Sequence, residues 1–371
     1  MPPPTALTGR CTTSCTRCSI SSSSVSSQTA ESRATGGRSR IWGLVAIAIT
    51  AGSLIWVLRD VSPREVLHHL SRANYGWLAV STIAVTLTFP LRTVRWRILL
   101  ATSDGEAPFR PLWHATAIGF MANNVLPARA GEVVRAWSCA RLMGTPFATV
   151  LASLAVERIF DGIVVVLLLA LALVTHEGGP IALGSTNLTA LAATIAAVFV
   201  GALAAAVVLV RNQAKLLPWA ERTAGRVLPG RAGAAATRLL HHVTAGFAVL
   251  HSTRDVLRVL TWSFVVWLVN AMSYGLGFLA FDIAVPPTST LLLQGVVVLG
   301  VALPQAPGFF GVFELAAKTA LAVYAVPADQ AVSFAFGIHL GWFIPITVLG
   351  FWYLAKTGLH LSDLRAGGER R

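Results

Sequence analysis

Charge is scarce in this chain: Asp, Glu, Lys and Arg make up 12% of its 371 residues, about half the share found in soluble domains. That shortage excludes an ordinary water-exposed surface. The balance is 55% hydrophobic, with a mean hydropathy of +0.67, and several apolar runs approach the roughly 20 residues a helix needs to cross about 30 Å of hydrocarbon. An integral membrane protein is the class this predicts. Period-2 alternation is absent from those runs, which excludes a transmembrane barrel. Only four cysteines occur. Cys11, Cys15 and Cys18 have no fourth ligand at metal-site spacing and Cys139 stands alone, so no metal or other cofactor is expected. Also missing are G-x-S-x-G, P-loop, H-E-x-x-H and Rossmann patterns, and the pairs His68–His69 and His241–His242 fall in expected loops without fitting partners. No catalytic residue is therefore assigned, and the protein is expected not to be an enzyme.

The net charge of +13 is spread over loops without a nucleic-acid-binding pattern, so nucleic acid is not expected as a partner. Anionic lipid head groups fit better. Residues 1–40 read as a disordered polar cytoplasmic leader, 41–356 as the transmembrane domain and 357–371 as a basic cytoplasmic tail. Within the domain, a first half (41–210) and a second half (259–356) flank a cytoplasmic linker with amphipathic surface helices (211–258). Spans are expected at Ile41–Leu58, Trp77–Leu91 (lengthened by tilt or by flanking residues), Thr149–Val174, Ala190–Val210, Leu260–Phe281 and Val332–Leu354. Arg92, Arg95 and Arg97 mark the cytoplasmic end of the second.

Two apolar stretches are too short to cross. Trp113–Leu126 stops at Pro127, and Leu291–Leu303 stops at Pro304 before Phe310–Val326 resumes, which suits re-entrant or broken-helix hairpins. With both returning to the side they entered, all of the 29 Lys and Arg fall inside except Arg59, Arg64, Arg72, Arg158 and Lys318. That asymmetry follows the positive-inside rule and puts both termini in the cytoplasm. Taken in chain order, the first three spans and the last three each have a hairpin between the second and the third, so the fold expected is an all-α polytopic bundle with inverted repeats.

The densest polar cluster, "NNVLPARAGEVVRA" (Asn123–Ala136), lies at the first break. Pro127 ends a helix, Gly131 permits a tight return, and Asn123 and Asn124 can pair the freed backbone. Arg129 and Arg135 are planar donors suited to phosphate, or cytoplasmic anchors snorkelling at a helix end. Glu132 and Arg135, at i and i+3, can neutralise each other. In "ERIFDG" (Glu157–Gly162), ionisable groups inside an apolar run cost roughly 2.5 to 3.5 kcal/mol each and need partners. Glu157 and Asp161 share a face and repel unless a cation, a proton or Arg158 intervenes; an interfacial helix end is the plainer reading. At the second break Pro304, Gln305, Pro307, Gly308 and Gly311 precede Glu314 and Lys318. The last two are spaced for a helical pair, either structural or part of a substrate path. Asn270, Tyr274 and His339 read as helix-packing hydrogen bonds.

The stretches "GFMANNVLPARAGEVVRAW", "ERIFDG" and "LPQAPGFFGVFELA", in this order and spacing, resemble the lysylphosphatidylglycerol synthase transmembrane region, a flippase-like membrane family. The resemblance covers about Ile41 to Lys356. It matches family positions at Asn124, Pro127, Arg129, Gly131, Glu132, Arg135, Glu157, Arg158, Asp161, Pro304, Gly308, Gly311 and Glu314, and it implies movement of a lipid head group between leaflets. The aminoacyl-transfer domain of bifunctional members is not expected here. The expected function is translocation of a phospholipid, aminoacyl-lipid or polyprenyl-linked lipid in the plasma membrane. The alternatives are a lipid-binding scaffold for an envelope-lipid enzyme partner and an intramembrane lipid transferase.

Overall fold

Continuous runs of Leu, Ala and Val cannot leave backbone groups unpaired in hydrocarbon, so each closes its own hydrogen bonds as a helix. The computed structural model describes residues 51–59, 61–100, 106–126, 130–176, 182–183, 186–212, 231–302 and 307–359, with positions 48, 218, 222 and 223. The leader with Cys11, Cys15 and Cys18, the tail beyond 359, and Pro127, Arg129, Pro304 and Gln305 lie outside the described residues. Helix α1 covers residues 51–58. It is followed by α2 (Pro63–Arg72), α3 (Tyr75–Leu99), α4 (Phe109–Val125), α5 (Gly131–Met143) and α6 (Phe147–Val174). After two paired two-residue strands, Ala182–Leu183 and Thr186–Asn187, come α7 (Leu188–Arg211) and α8 (Arg231–Gly246). The last four are α9 (Thr253–Ala280), α10 (Ser289–Val301), α11 (Val312–Ala322) and α12 (Ala328–Thr357).

Helices α3, α7, α9 and α12 are long and apolar enough to cross a membrane. Helix α6, at 28 residues, has the length but carries Glu157, Arg158 and Asp161. The protein is an all-α, multi-pass membrane protein. By contrast α5, α10 and α11 have 13, 13 and 11 residues, at 1.5 Å rise no more than about 20 Å each. They are too short to cross alone.

Three expectations are corrected. Helix α3 is lengthened by its flanking residues, running through Pro90 to Leu99, since a missing amide donor is tolerated where neighbouring helices support the turn. Arg92 and Arg95 therefore sit within the helix and inside the bundle, 7% and 0% exposed, rather than beyond a helix end. The linker is also only partly a surface element. Its described end docks, with Val249 and Leu250 joining a core of Trp96, Leu154 and Phe160. His68 and His69 lie on α2, and His241 and His242 on α8, rather than in loops.

Packing relates the two halves. Helices α3 and α9 pair with each other, and the backbone amide of Asn74 before α3 donates to the Ala280 carbonyl at the end of α9. Every other major contact has a counterpart when the halves are exchanged. Hairpin α4–α5 packs on α6 through α5 and on α12 through α4; hairpin α10–α11 packs on α12 through α11 and on α6 through α10. Likewise α7 lies on α6, while Val57 of α1 clusters with Val332 of α12. Each closing helix thus supports both hairpins, the pattern a two-fold relation between repeats produces.

Candidate functional site

Two glycines let the arms of the first hairpin approach closely. Gly131 starts α5 and its amide donates to Asn123 Oδ1 at 2.9 Å, pairing one of the helix's orphan donors. Gly119 on α4 lies against it, and a Cβ on Gly131 would overlap the Gly119 carbonyl and the Asn123 side chain. This close approach carries Arg135 toward α6. Arg135 meets Glu157 with both ends of its fork, at 2.9 and 3.2 Å, and lies 4.0 Å over the Trp96 ring. The expected Glu132–Arg135 pair gives way because Glu157 offers Arg135 a bidentate partner away from water. Glu132 instead faces Arg158 at 3.8 Å.

The i, i+4 carboxylates of α6 are neutralised mainly from another helix. Arg95 contacts Asp161 at 2.5 and 3.2 Å and Glu157 at 3.1 Å, and it also donates to Ser263 Oγ at 2.9 Å. Arg92 reaches Asp161 at 3.4 Å and lies 4.8 Å over the Trp267 ring, while the Trp267 indole donates to Asp161 at 2.9 Å. Arg158 adds contacts to Glu157 at 2.7 Å and Asp161 at 3.4 Å. Four guanidinium groups thus meet three carboxylates, leaving one positive charge in excess. Arg158, with 37% of its side chain exposed, is the most accessible of the four.

A cavity of about 510 Å³ opens beside this cluster. Arg92, Arg135, Arg158, Glu132 and Asp161 line one side with Asn123, and Asn270 and Tyr274 of α9 face in. The remaining wall is apolar and aromatic, drawn from Val165, Phe199, Val298, Phe309, Phe313 and Trp342. A polar end and a greasy wall in one space suit an amphipathic ligand.

Not every expected residue meets there. Asn124 turns away, donating to Thr347 Oγ1 at 2.7 Å on α12. Lys318 donates to the Val57 carbonyl at 3.1 Å. The Glu314–Lys318 pair is replaced because Glu314, 0% exposed, spends one oxygen on the Gly311 amide at 2.6 Å and the other on His339 Nδ1 at 2.6 Å. Pro307 and Gly308 form a short turn with Gly308 at φ 75°, and Gly311, at φ 83°, caps α11. His69, expected without fitting partners, faces Asp329 and Glu65, with one ligand atom of each within 4.8 Å of the others. Sequence reasoning missed Arg92, Arg95, Trp96, Ser263 and Trp267 as members of the charged cluster. One signal was available: the Trp77–Leu91 run is short for a crossing unless its helix continues into the arginines.

Comparison with known proteins gives two relatives and a family. The glycosyltransferase AglD of Haloferax volcanii is 28% identical over 320 residues, covering 78% of this chain and 51% of that protein. The chain thus spans about half the length of that relative. A UPF0104 membrane protein of Methanothermobacter thermautotrophicus is 24% identical over 298 residues, covering 77% of this chain and 85% of the relative. No solved structure matches. With residues 43–350 matching its profile, the chain belongs to the lysylphosphatidylglycerol synthase TM region family.

Proposed function

We propose that this protein moves a phosphate-bearing lipid head group between leaflets through the cavity, while the lipid's chains stay among the apolar wall and the bilayer. The observation that carries the reading is the placement of an arginine-rich cluster with one excess positive charge in the wall of a mostly apolar cavity. A guanidinium binds phosphate through two parallel hydrogen bonds, and Arg158 can exchange its contacts to Glu157 and Asp161 for such a pair. Membership of a family named for a lipid-synthase membrane region supports a lipid-related process. The spread of basic residues supports an orientation with both termini inside.

A transferase role for Glu157 and Asp161 has less support. Each carboxylate is held by at least two arginines and is spent on neutralising them. The scaffold alternative predicts lipid binding without leaflet exchange.

The test is leaflet exchange of labelled phospholipids, aminoacyl lipids and polyprenyl-linked sugars in reconstituted vesicles. Arg158→Gln removes the excess charge, leaves Arg92, Arg95 and Arg135 on Glu157 and Asp161, and frees only the part-exposed Glu132. A charge-assisted hydrogen bond contributes about 1.5 to 3 kcal/mol, so exchange of the preferred lipid is expected to fall roughly tenfold to a hundredfold. Exchange by Arg158→Gln at the wild-type rate would sink the phosphate reading, and wild-type protein no faster than empty vesicles would sink translocation itself.

A further inference from the structure

The second break holds an acid and a base in contact, both 0% exposed. His339 Nδ1 lies 2.6 Å from Glu314 Oε1, and its Nε2 lies 2.7 Å from the Gly308 carbonyl oxygen. A carbonyl has no proton to give, so Nε2 carries the proton of that bond. Two lone pairs cannot face each other at 2.6 Å, so a second proton lies between Nδ1 and Oε1. The pair is then neutral overall, as carboxylic acid with imidazole or as carboxylate with imidazolium.

Taking away the shared proton would leave one negative charge in an aromatic box. Phe310 stacks on His339 at 4.4 Å, Phe313 lies at 4.6 Å and Trp342 stacks at 5.1 Å. Among the described residues no other ionisable side chain hydrogen-bonds or ion-pairs with either member. Lys318, one turn along α11, bonds the Val57 carbonyl, while Arg92 and Arg95 of α3 hold Asp161. At the start of α12, Asp329 faces His69 and Glu65 of α2, and α10 carries no ionisable residue. A lone buried charge costs several kcal/mol, so the proton can leave only as the box opens to water.

Opening the box moves the hairpin. Glu314 Oε2 holds the Gly311 amide at the start of α11, and His339 holds the Gly308 turn. Phe313 and Trp342 touch His339 and also line the cavity. Proton occupancy and cavity shape therefore depend on the same side chains, the condition for linkage between them.

We propose that Glu314 and His339 form a proton-binding site that couples lipid movement through the cavity to a proton gradient. The arrangement described is the loaded form. A proton from water on one side is held between Oε1 and Nδ1 and released to water on the other; only O–H and N–H bonds form and break. The coupling rests on the lipid-path reading above, whereas the proton site itself does not.

Two measurements test it. In vesicles carrying fluorescently labelled phosphatidylglycerol, wild-type exchange is expected to change by up to about tenfold per pH unit of imposed gradient, and to lose that response when a protonophore collapses the gradient. Glu314→Gln mimics the loaded form, donating its amide to Nδ1 and accepting from Gly311, and should not respond. Wild-type exchange that ignores the gradient would overturn the coupling and leave the lipid path standing; no exchange under any condition would fail the lipid path instead. Independently, in detergent, the part of tryptophan emission removed by Trp342→Phe should titrate with pH in the wild type and not in Glu314→Gln or His339→Gln. No such titration in the wild type would overturn the proton site even if the variants do not fold.

Discussion

Replacing Asp161 with alanine is expected to lower stability by about 3 to 5 kcal/mol, the loss typical of stripping one partner from a buried ion pair. Asp161 accepts from Arg92, Arg95 and the Trp267 indole and ion-pairs with Arg158. Without it Arg95, with a fully buried side chain, keeps only Glu157 and Ser263. Glu106 supplies the contrast. It pairs with Arg97 and Arg258 where all three side chains are about a third to a half exposed, so Glu106→Ala is expected to cost at most about 1 kcal/mol. The unfolding midpoints of the two variants in detergent check this. Adding Arg95→Met to the Asp161 variant should recover part of the loss, because removing both charges avoids the unpaired ion. Equal midpoints for the Asp161 and Glu106 single variants would show that the cluster is wetter than its geometry implies.

Gly131→Val is the second large effect expected. The new side chain would overlap the Gly119 carbonyl and Asn123, and a backbone carbonyl on a packed helix cannot swing aside as a flexible side-chain tip can. Overpacking costs about 1 to 3 kcal/mol, and the bond from the Gly131 amide to Asn123 at 2.9 Å would go with it. The separation of α4 and α5 also sets the reach of Arg135 to Glu157. Leaflet exchange should therefore fall further than the drop in unfolding midpoint alone would explain, while Gly201→Val, at a site with no atom within 4 Å of an added Cβ, should leave both unchanged.

The two breaks were legible because they are local. Glycines, prolines and short apolar runs act within a few residues, and the short helices on either side of them follow. The need for partners at Glu157 and Asp161 was legible too, since hydrocarbon penalises every unpaired charge alike. Their partners were not. Arg95 lies 66 residues before Asp161 in sequence, beyond a proline that normally ends a helix, and an arginine in that position reads equally well as a snorkelling anchor. The same limit applies at the second break. Helical spacing suggested that Glu314 pairs with Lys318, but the neighbour that matters, His339, comes from another helix 25 residues on. Local spacing shows which groups can pair; burial decides which do.

The central claim is that the head group travels through the cavity between the two hairpins, and filling that cavity tests it most directly. Val298 lines the apolar wall without being one of the charged groups, so Val298→Trp narrows the passage and leaves every ion pair in place. With the unfolding midpoint held near the wild-type value, leaflet exchange is predicted to fall to the rate of protein-free vesicles. Exchange at the wild-type rate would contradict the account and place the lipid's path outside this cavity.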